Sequence, residues 1–409
     1  MARNSKLLQA KNAKNDEFYT QLSDIEKEVQ AYLDFDPDVF KGKVILCPCD
    51  DPYESNFFKY FALNFNDFKL KKLIATCYVN SPIANTQLSL FAHEPVNDRT
   101  TKAPHKLVVT ELDDYNGDSA ADLLDVQWVL ENKKNALTRL ESDGDFRREE
   151  VTKLRDEADI IITNPPFSLF REFMAWIMEA KKQFLIIGNK NAVTNKEIFP
   201  LIKENKIWIG TMSMSIDMLF SVPDARAKEM LETGKQGSNY KIVNGSIYGR
   251  SSSIWLTNID HGRRHQPLSF MTMADNLRHS RHKEIRGKKN YDKYDNYNAI
   301  DVPYTDAIPS DYDGVMGVPV SFLDKYCPEQ FEILGATQRG CHDAIPDTKK
   351  YDDYWEVKPD GTPTGSSGSK TNENANLVGN DGKKNYFINK KGKTVQSVYS
   401  RIFIKHKKD

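Results

Sequence analysis

The stretch Ala158-Asp159-Ile160-Ile161-Ile162-Thr163-Asn164-Pro165-Pro166-Phe167 decides how this chain is read. Three consecutive isoleucines between polar residues have the pattern of a buried strand. Residues 168–180 then space Phe170, Phe173, Met174, Ile177 and Met178 as a helix does. The tetrad Asn164-Pro165-Pro166-Phe167 therefore occupies the turn from strand to helix. Pro165 and Pro166 fix φ and lack backbone donors, so the sequence predicts carbonyls there that point outward and stay available to accept. Asn164 adds a side-chain carbonyl, and Phe167 adds a stacking face. Two acceptors and an aromatic plate are what is needed to hold the exocyclic amine of an adenine and aim its lone pair at an electrophilic methyl group.

Working outward, residues 43–49 (Lys-Val-Ile-Leu-Cys-Pro-Cys) read as a buried strand, and Phe57, Phe58, Phe61, Ala62 and Phe65 recur at helical intervals over 53–65. Residues 73–79 and 106–110 read as strands, with a proline-bearing insertion at 81–105 between them. The acid-rich residues 111–150 carry Leu123, Leu124, Trp128, Leu130 and Leu137, which predict a helix around 121–140. Beyond the tetrad come a strand at 183–188, a helix at 196–205, a strand at 207–209 and a late strand at 252–258 that closes the sheet. Strands alternating with helices predict a mainly parallel α/β sheet, with its ligand at the carboxyl ends of the strands. The tetrad lies on that edge.

After residue 260 the texture changes. Tyrosines, aspartates and prolines crowd residues 291–313, and residues 359–384, rich in Gly, Ser, Asn and Thr, read as a flexible or inserted loop. Residues 395–404 look like one strand before a basic tail. A second, irregular domain is expected over 263–409, after a first domain over 1–262.

No apolar run approaches the ~20 residues that cross a bilayer, and no signal-peptide core follows the polar amino terminus, so cytoplasmic residence is expected. The five cysteines, Cys47, Cys49, Cys77, Cys327 and Cys341, are too scattered for a disulfide framework, and no second ligand pair stands at zinc spacing. Cys47 and Cys49 read as buried free thiols. Residues 1–250 carry 33 basic and 37 acidic side chains, whereas residues 251–409 carry 24 and 21, so charge of the sign that DNA attracts lies in the second part. It concentrates in Arg278, Arg281, Lys283, Arg286, Lys288 and Lys289, opposed only by Glu284, a run that can neutralise phosphates or form a solvated loop.

Several segments together resemble the adenine-specific DNA methyltransferases of the EcoRI type. They are Asn15-Asp16-Glu17-Phe18-Tyr19-Thr20, Cys49-Asp50-Asp51-Pro52 with Ser55-Asn56-Phe57-Phe58-Lys59-Tyr60-Phe61, and residues 163–171. Ile207-Trp208-Ile209-Gly210, Trp255-Leu256-Thr257-Asn258, and residues 312–319 with 324–332 extend the match. The resemblance covers most of residues 1–335 and is weak over 81–105, 113–140 and 336–394.

The resemblance implies a Rossmann-like methyltransferase sheet that uses S-adenosylmethionine, followed by a carboxyl-terminal DNA target-recognition domain. The implied reaction methylates the exocyclic amine of an adenine flipped out of duplex DNA. Asn164, Pro165, Pro166 and Phe167 would grip that adenine. Phe18, Tyr19 and Thr20 would close over the cofactor, and Asp50 or Asp51 would meet its methionine ammonium. Asp145 would accept from the cofactor's amine, with Phe146 packing on its ring. Where the family carries a glycine-rich turn this chain has none, and its second strand ends in Cys77-Tyr78-Val79-Asn80 without a ribose-binding carboxylate. Arg263 and Arg264 would join the 278–289 cluster near DNA. A single subunit is expected to act, since no dimerisation signal is evident in the sequence; a cognate restriction endonuclease would act separately, and no metal is implied.

Three rival readings stand beside this one, the plainest being a DNA-binding module without catalysis. The same tetrad can grip an RNA adenine or a protein glutamine, but a large basic second domain suits a long polyanion better than a peptide. Pro346-Asp347 with Glu356-Val357-Lys358 imitates a nuclease metal motif at short spacing, without a strand around Pro346.

Overall fold

The computed structural model describes residues 19–50, 55–77, 104–113, 137–222, 224–337 and 349–407. The chain forms two units, residues 1–190 with 209–262, and residues 191–208 with 263–409. Chain order begins with β1 (Tyr19–Thr20), α1 (Leu22–Phe35), β2 (Val44–Cys47), α2 (Asn56–Leu63), β3 (Lys72–Thr76), β4 (His105–Val109) and β5 (Leu137–Arg139). It continues through α3 (Glu149–Glu157), β6 (Ile160–Thr163), α4 (Phe170–Glu179), β7 (Gln183–Asn189), α5 (Phe199–Lys203) and β8 (Trp208–Ile209). Then come β9 (Met218–Ser221), α6 (Asp224–Thr233), β10 (Tyr240–Val243), β11 (Ser246–Ser251) and β12 (Ser253–Thr257).

The main sheet has the order β5-β4-β3-β2-β6-β7-β12-β8. Its centre is parallel, β3 to β2 to β6 to β7. Its flanks are antiparallel, β5 on β4, β4 on β3 and β12 on β7. The sheet is therefore mixed rather than mainly parallel. An apolar run reads the same in either direction, and only the connections decide which way a strand enters. Every residue of β2 and β6 is buried, as strands covered on both faces must be. The core joins Ile45, Phe57, Phe58, Phe61, Ile160, Ile162, Leu185 and Trp255, with the Phe57 and Trp255 rings edge to face at 5.7 Å.

A second sheet, β1-β9-β11-β10, is antiparallel, and Thr20 faces Phe220 across it. On α1, the buried Glu28 accepts from the Tyr32 hydroxyl at 2.9 Å and from the Thr211 amide and hydroxyl at 2.8 and 2.7 Å. Residue 210 must be glycine, because a Cβ there would stand 2.1 Å from Glu28 Oε1.

Two helix expectations are corrected. The helix around 121–140 falls largely outside the described residues, and where it enters them Leu137–Arg139 is instead an edge strand paired with β4. The helix at 196–205 shrinks to Phe199–Lys203, opened by Pro200 in its first turn.

The second unit carries α7 (Met273–His279), β13 (Ile300–Asp301), β14 (Met316–Pro319), β15 (Phe331–Ala336), β16 (Tyr354–Val357) and β17 (Pro363–Ser367). β18 (Asn376–Val378), β19 (Tyr386–Asn389), β20 (Thr394–Ser397) and β21 (Arg401–His406) complete it. Its sheets run β13-β14-β21-β15 and β17-β16-β19-β20-β18. The expected flexible or inserted loop at 359–384 is an insertion that contributes two short strands, β17 and β18, to the second of these sheets; glycines at 361, 379 and 382 have positive φ and serve turns. The single strand expected at 395–404 is two strands in two different sheets. β15 and β21 pair directly, so the five-stranded sheet is an excursion within their hairpin, closed by the Thr337 amide on the Arg401 carbonyl at 2.9 Å.

Polar side chains sew this unit together. Asp301 accepts from Arg401 Nε at 2.9 Å and from the Tyr294 hydroxyl at 2.5 Å, all three buried. Asp295 accepts from Lys393 at 2.7 Å, Lys349 at 2.9 Å and the Tyr351 hydroxyl at 2.8 Å. Asn296 accepts from the Asn376 amide and donates to the Asn374 carbonyl, which ties the tyrosine-rich segment to the excursion.

Candidate active site

Parallel register brings three strand ends together. Ile45 and Leu46 of β2 face Ile160 and Ile161 of β6, and Cys47 faces Ala75 of β3. Just past those ends the Thr76 hydroxyl donates to the Pro48 carbonyl at 2.9 Å. Asp50 is 5% exposed. Its Oδ1 accepts from Ser55 Oγ at 2.6 Å, and its Oδ2 accepts from Thr163 Oγ1. Ser55 also caps α2, accepting from the Phe57 and Phe58 amides at 3.1 and 3.3 Å. Burial pushes the Cys47 thiol well above its usual range, helped by the nearby Asp50 charge, so it is an inert core thiol.

The tetrad leaves β6 at this edge, with Asn164 and Phe167 half-buried and both prolines buried. The Pro166 carbonyl accepts from the Leu169 amide at 2.9 Å to start the next helical turn. One of its two acceptor positions is therefore engaged, which corrects the expectation that both proline carbonyls stay fully free. Among the described residues no backbone amide outside the helices and strands donates to the Pro165 carbonyl. Phe167 packs by one side against the core.

Asp145, Phe146 and Thr20 are the other expected site residues whose side chains the structure describes. Gly144, at φ +77°, lies so close to β3 that a Cβ would stand 2.3 Å from the Cys77 carbonyl oxygen. Next to it Asp145 is 8% exposed and accepts from Arg147 Nε at 2.8 Å and Nη2 at 2.7 Å. Burial raises its carboxyl, but the bonds and charge of Arg147 outweigh that and hold it below the usual range. Arg147 is itself braced by Glu172 of α4 at 2.8 Å. Phe146 is buried edge to face against Phe173 and Trp176 of α4, at 5.0 and 5.5 Å, so it serves the core as well as any ligand. Thr20 is buried, and its carbonyl accepts from Asn56 Nδ2 at 2.8 Å, which ties β1 to the start of α2. Phe18 and Asp51 lie outside the described residues, and of Tyr19 only the backbone is described, paired with Ser221.

The second unit holds the expected DNA-facing cations. Arg278, Arg281, Lys283, Arg286, Lys288 and Lys289 are all exposed. Arg281 pairs with Asp306 at 2.8 Å and Lys288 pairs with Asp292. His282 stacks on Tyr304 at 3.6 Å and also meets Asp306. Arg263 is half-buried. Arg264 departs from the expectation, being buried with its guanidinium 3.7 Å above the Trp208 ring and donating to Asn205. It is committed to packing inside its unit. Of the nuclease-like motif, Pro346 and Asp347 lie outside the described residues, while Glu356 sits in β16 and accepts from Thr364 at 3.1 Å.

Sequence reasoning missed Ser55, Thr163 and Arg147. Ser55 was findable, since a serine ahead of an aromatic helical run is a capping pattern. Thr163 reads only as a strand residue, and Arg147 only as a surface charge.

An α/β unit whose mixed sheet gathers buried carboxylates and an Asn-Pro-Pro-Phe turn at one strand edge is consistent with a methyltransferase. The chain belongs to the family of the adenine-specific methyltransferase EcoRI, whose profile matches residues 6–407. It is 40% identical over 337 residues to the type II methyltransferase M.EcoRI of Escherichia coli, covering 82% of this chain and 90% of that one. It is 33% identical over 326 residues to the type II methyltransferase M.MpnI of Mycoplasma pneumoniae (80% and 83% covered). It is 32% identical over 331 residues to the type II methyltransferase M.MgeORF184P of Mycoplasma genitalium (80% and 84% covered). No solved structure matches the chain significantly. Among the described residues no helix is long and apolar enough to cross a membrane.

Proposed function

We propose that this protein is the modification methyltransferase of a restriction-modification system, acting on adenine in duplex DNA with S-adenosylmethionine as methyl donor. The observation that carries the reading is the Asn164-Pro165-Pro166-Phe167 turn, at the carboxyl end of a buried central strand and beside buried carboxylates. It is joined by the names of the relatives. The cofactor suits the residues present. An aromatic amine asks for a buried acceptor, and Asp145 offers one beside Gly144, which lies against the end of β3. A carboxylate has about four acceptor sites, so Asp145 can serve Arg147 and a further donor together. When bound, S-adenosylmethionine supplies a methyl group on a sulfonium.

The chain's own residues do the rest. Adenine's amine is conjugated and weakly nucleophilic. Acceptance of its hydrogens by Asn164 Oδ1 and the Pro165 carbonyl localises the lone pair in the transition state. Phe167 stacks on the flipped ring and holds it in line. No base is required, because the proton of the product ammonium is acidic enough to leave to water. Residues 263–409 read the target, with Arg278, Arg281, Lys283, Arg286, Lys288, Lys289 and the half-buried Arg263 neutralising phosphates. A single subunit acts, and a cognate endonuclease works separately.

Methylated adenines mapped in plasmid DNA after expression test this reading. Methylation at one recurrent sequence context is expected in the wild type. Asn164→Ala is expected to lose about 10²–10³-fold in transfer rate, the scale of one preorganised hydrogen bond in a transition state. Label entering RNA or protein instead of duplex DNA would overturn the substrate.

A further inference from the structure

We infer that Asp50 is a positioning residue for the amine-gripping turn and acts through Thr163; this rests on reading residues 164–167 as the site. Asp50 was expected to be one of two candidates for the cofactor's ammonium. Its surroundings assign it another task. Two protein hydroxyls are aimed at it, Ser55 Oγ at 2.6 Å on one oxygen and Thr163 Oγ1 on the other. Ser55 is fixed in turn, because it caps α2 through the Phe57 and Phe58 amides. Thr163 is the last residue of β6, is fully buried and directly precedes Asn164.

One buried carboxylate thus joins the turn after β2, the start of α2 and the end of β6. Hydrogen bonds from hydroxyls to an anion are short and strong, and a β-branched side chain has few rotamers to choose from. Donation to Asp50 therefore locks the Thr163 side chain and, with it, the path by which the backbone enters Asn164 and Pro165. Displacement of a reacting group by about 1 Å can cost ~10²-fold in rate, so a strut at this point acts on chemistry rather than on cofactor affinity.

The test uses the full chain, single-turnover methyl transfer to duplex DNA and equilibrium binding of labelled S-adenosylmethionine. Thr163→Val keeps the shape and removes the hydroxyl; its rate is expected to fall ~10–100-fold with cofactor affinity within about twofold of wild type. Thr163→Ser should restore most of the rate. Asp50→Asn should also slow transfer with affinity kept, and the double variant should be little worse than the slower single one, as coupled residues behave. If Thr163→Val does not fold, Asp50→Asn carries the same rate-against-affinity comparison. Loss of cofactor affinity in Asp50→Asn that Thr163→Val does not share would overturn the proposal, and so would a wild-type rate in Thr163→Val. If Asn164→Ala itself transfers normally, the reading of the turn has failed; if only Asn164→Ala is dead, the strut has.

Discussion

Two carboxylates in each unit hold buried charge in opposite ways. In the first unit the pair is Glu28 and Asp50, met by neutral donors, Tyr32 with Thr211 and Ser55 with Thr163, whereas Asp145 there is met by Arg147. In the second, the pair is met by cations, Asp301 by Arg401 and Asp295 by Lys349 and Lys393. The acidities follow. Burial lifts the Glu28 carboxyl above its usual range in spite of the bonds from Thr211 and Tyr32. For Asp295 burial is outweighed by Lys393, Lys349 and Tyr351, and the carboxyl falls to about 2. A neutral donor returns only part of what water gave the anion, whereas an adjacent cation reverses the sign.

The largest blow to this contrast should come from Arg401→Met, which strands Asp301 in a dry site. A loss of about 3–5 kcal/mol is expected, partly recovered when Asp301→Asn is added. Hydrogen exchange in peptides covering β14 and β21 reads it. A loss below about 1 kcal/mol would mean the second unit does not depend on its ion pairs. Ile161→Val in the first unit removes one methylene from a fully buried strand and should cost about 0.5–1.5 kcal/mol, seen as faster exchange in β2 and β6.

The smallest effect is on pH dependence, and it should have opposite sign in the two units. Asp295 has a lowered carboxyl, so its contribution is present above its ordinary 3.8 and is lost as pH falls toward about 2. Asp295→Asn should flatten that acid limb. Glu28 has a raised carboxyl, so its contribution is complete below its ordinary 4.5 and fades as pH rises through the raised value. Glu28→Gln should remove that decline. Local exchange measured from about pH 2 upward separates the two, and slopes of one sign would break the contrast.

The same difference explains what could be read in advance. β2, β6 and β7 announce themselves because each is an apolar run between polar ends, and the tetrad follows because two prolines after an asparagine leave one local geometry. The five-stranded sheet did not announce itself. Its strands are short and polar, such as Pro363–Ser367, and their glycines imitate a flexible loop. What orders them is Asn296 bound to Asn374 and Asn376, and Asp295 bound to Lys349 and Lys393, partners 54–98 positions away. Arg264 misled for the same reason, since a basic residue in sequence gives no hint that Trp208 and Asn205 will enclose it.

Local chemistry was enough to single out the Asn164–Phe167 turn after a buried strand, the alternation of strand and helix, and the family. Those depend on hydrophobic period and on backbone stiffness, which neighbouring residues settle among themselves. Folding alone decided the direction of the flanking strands, the engagement of the Pro166 carbonyl by the next turn, and the meeting of Asp50 with Thr163. Those depend on which distant donors and acceptors arrive at the same buried point, and buried polar groups must find partners wherever the chain brings them.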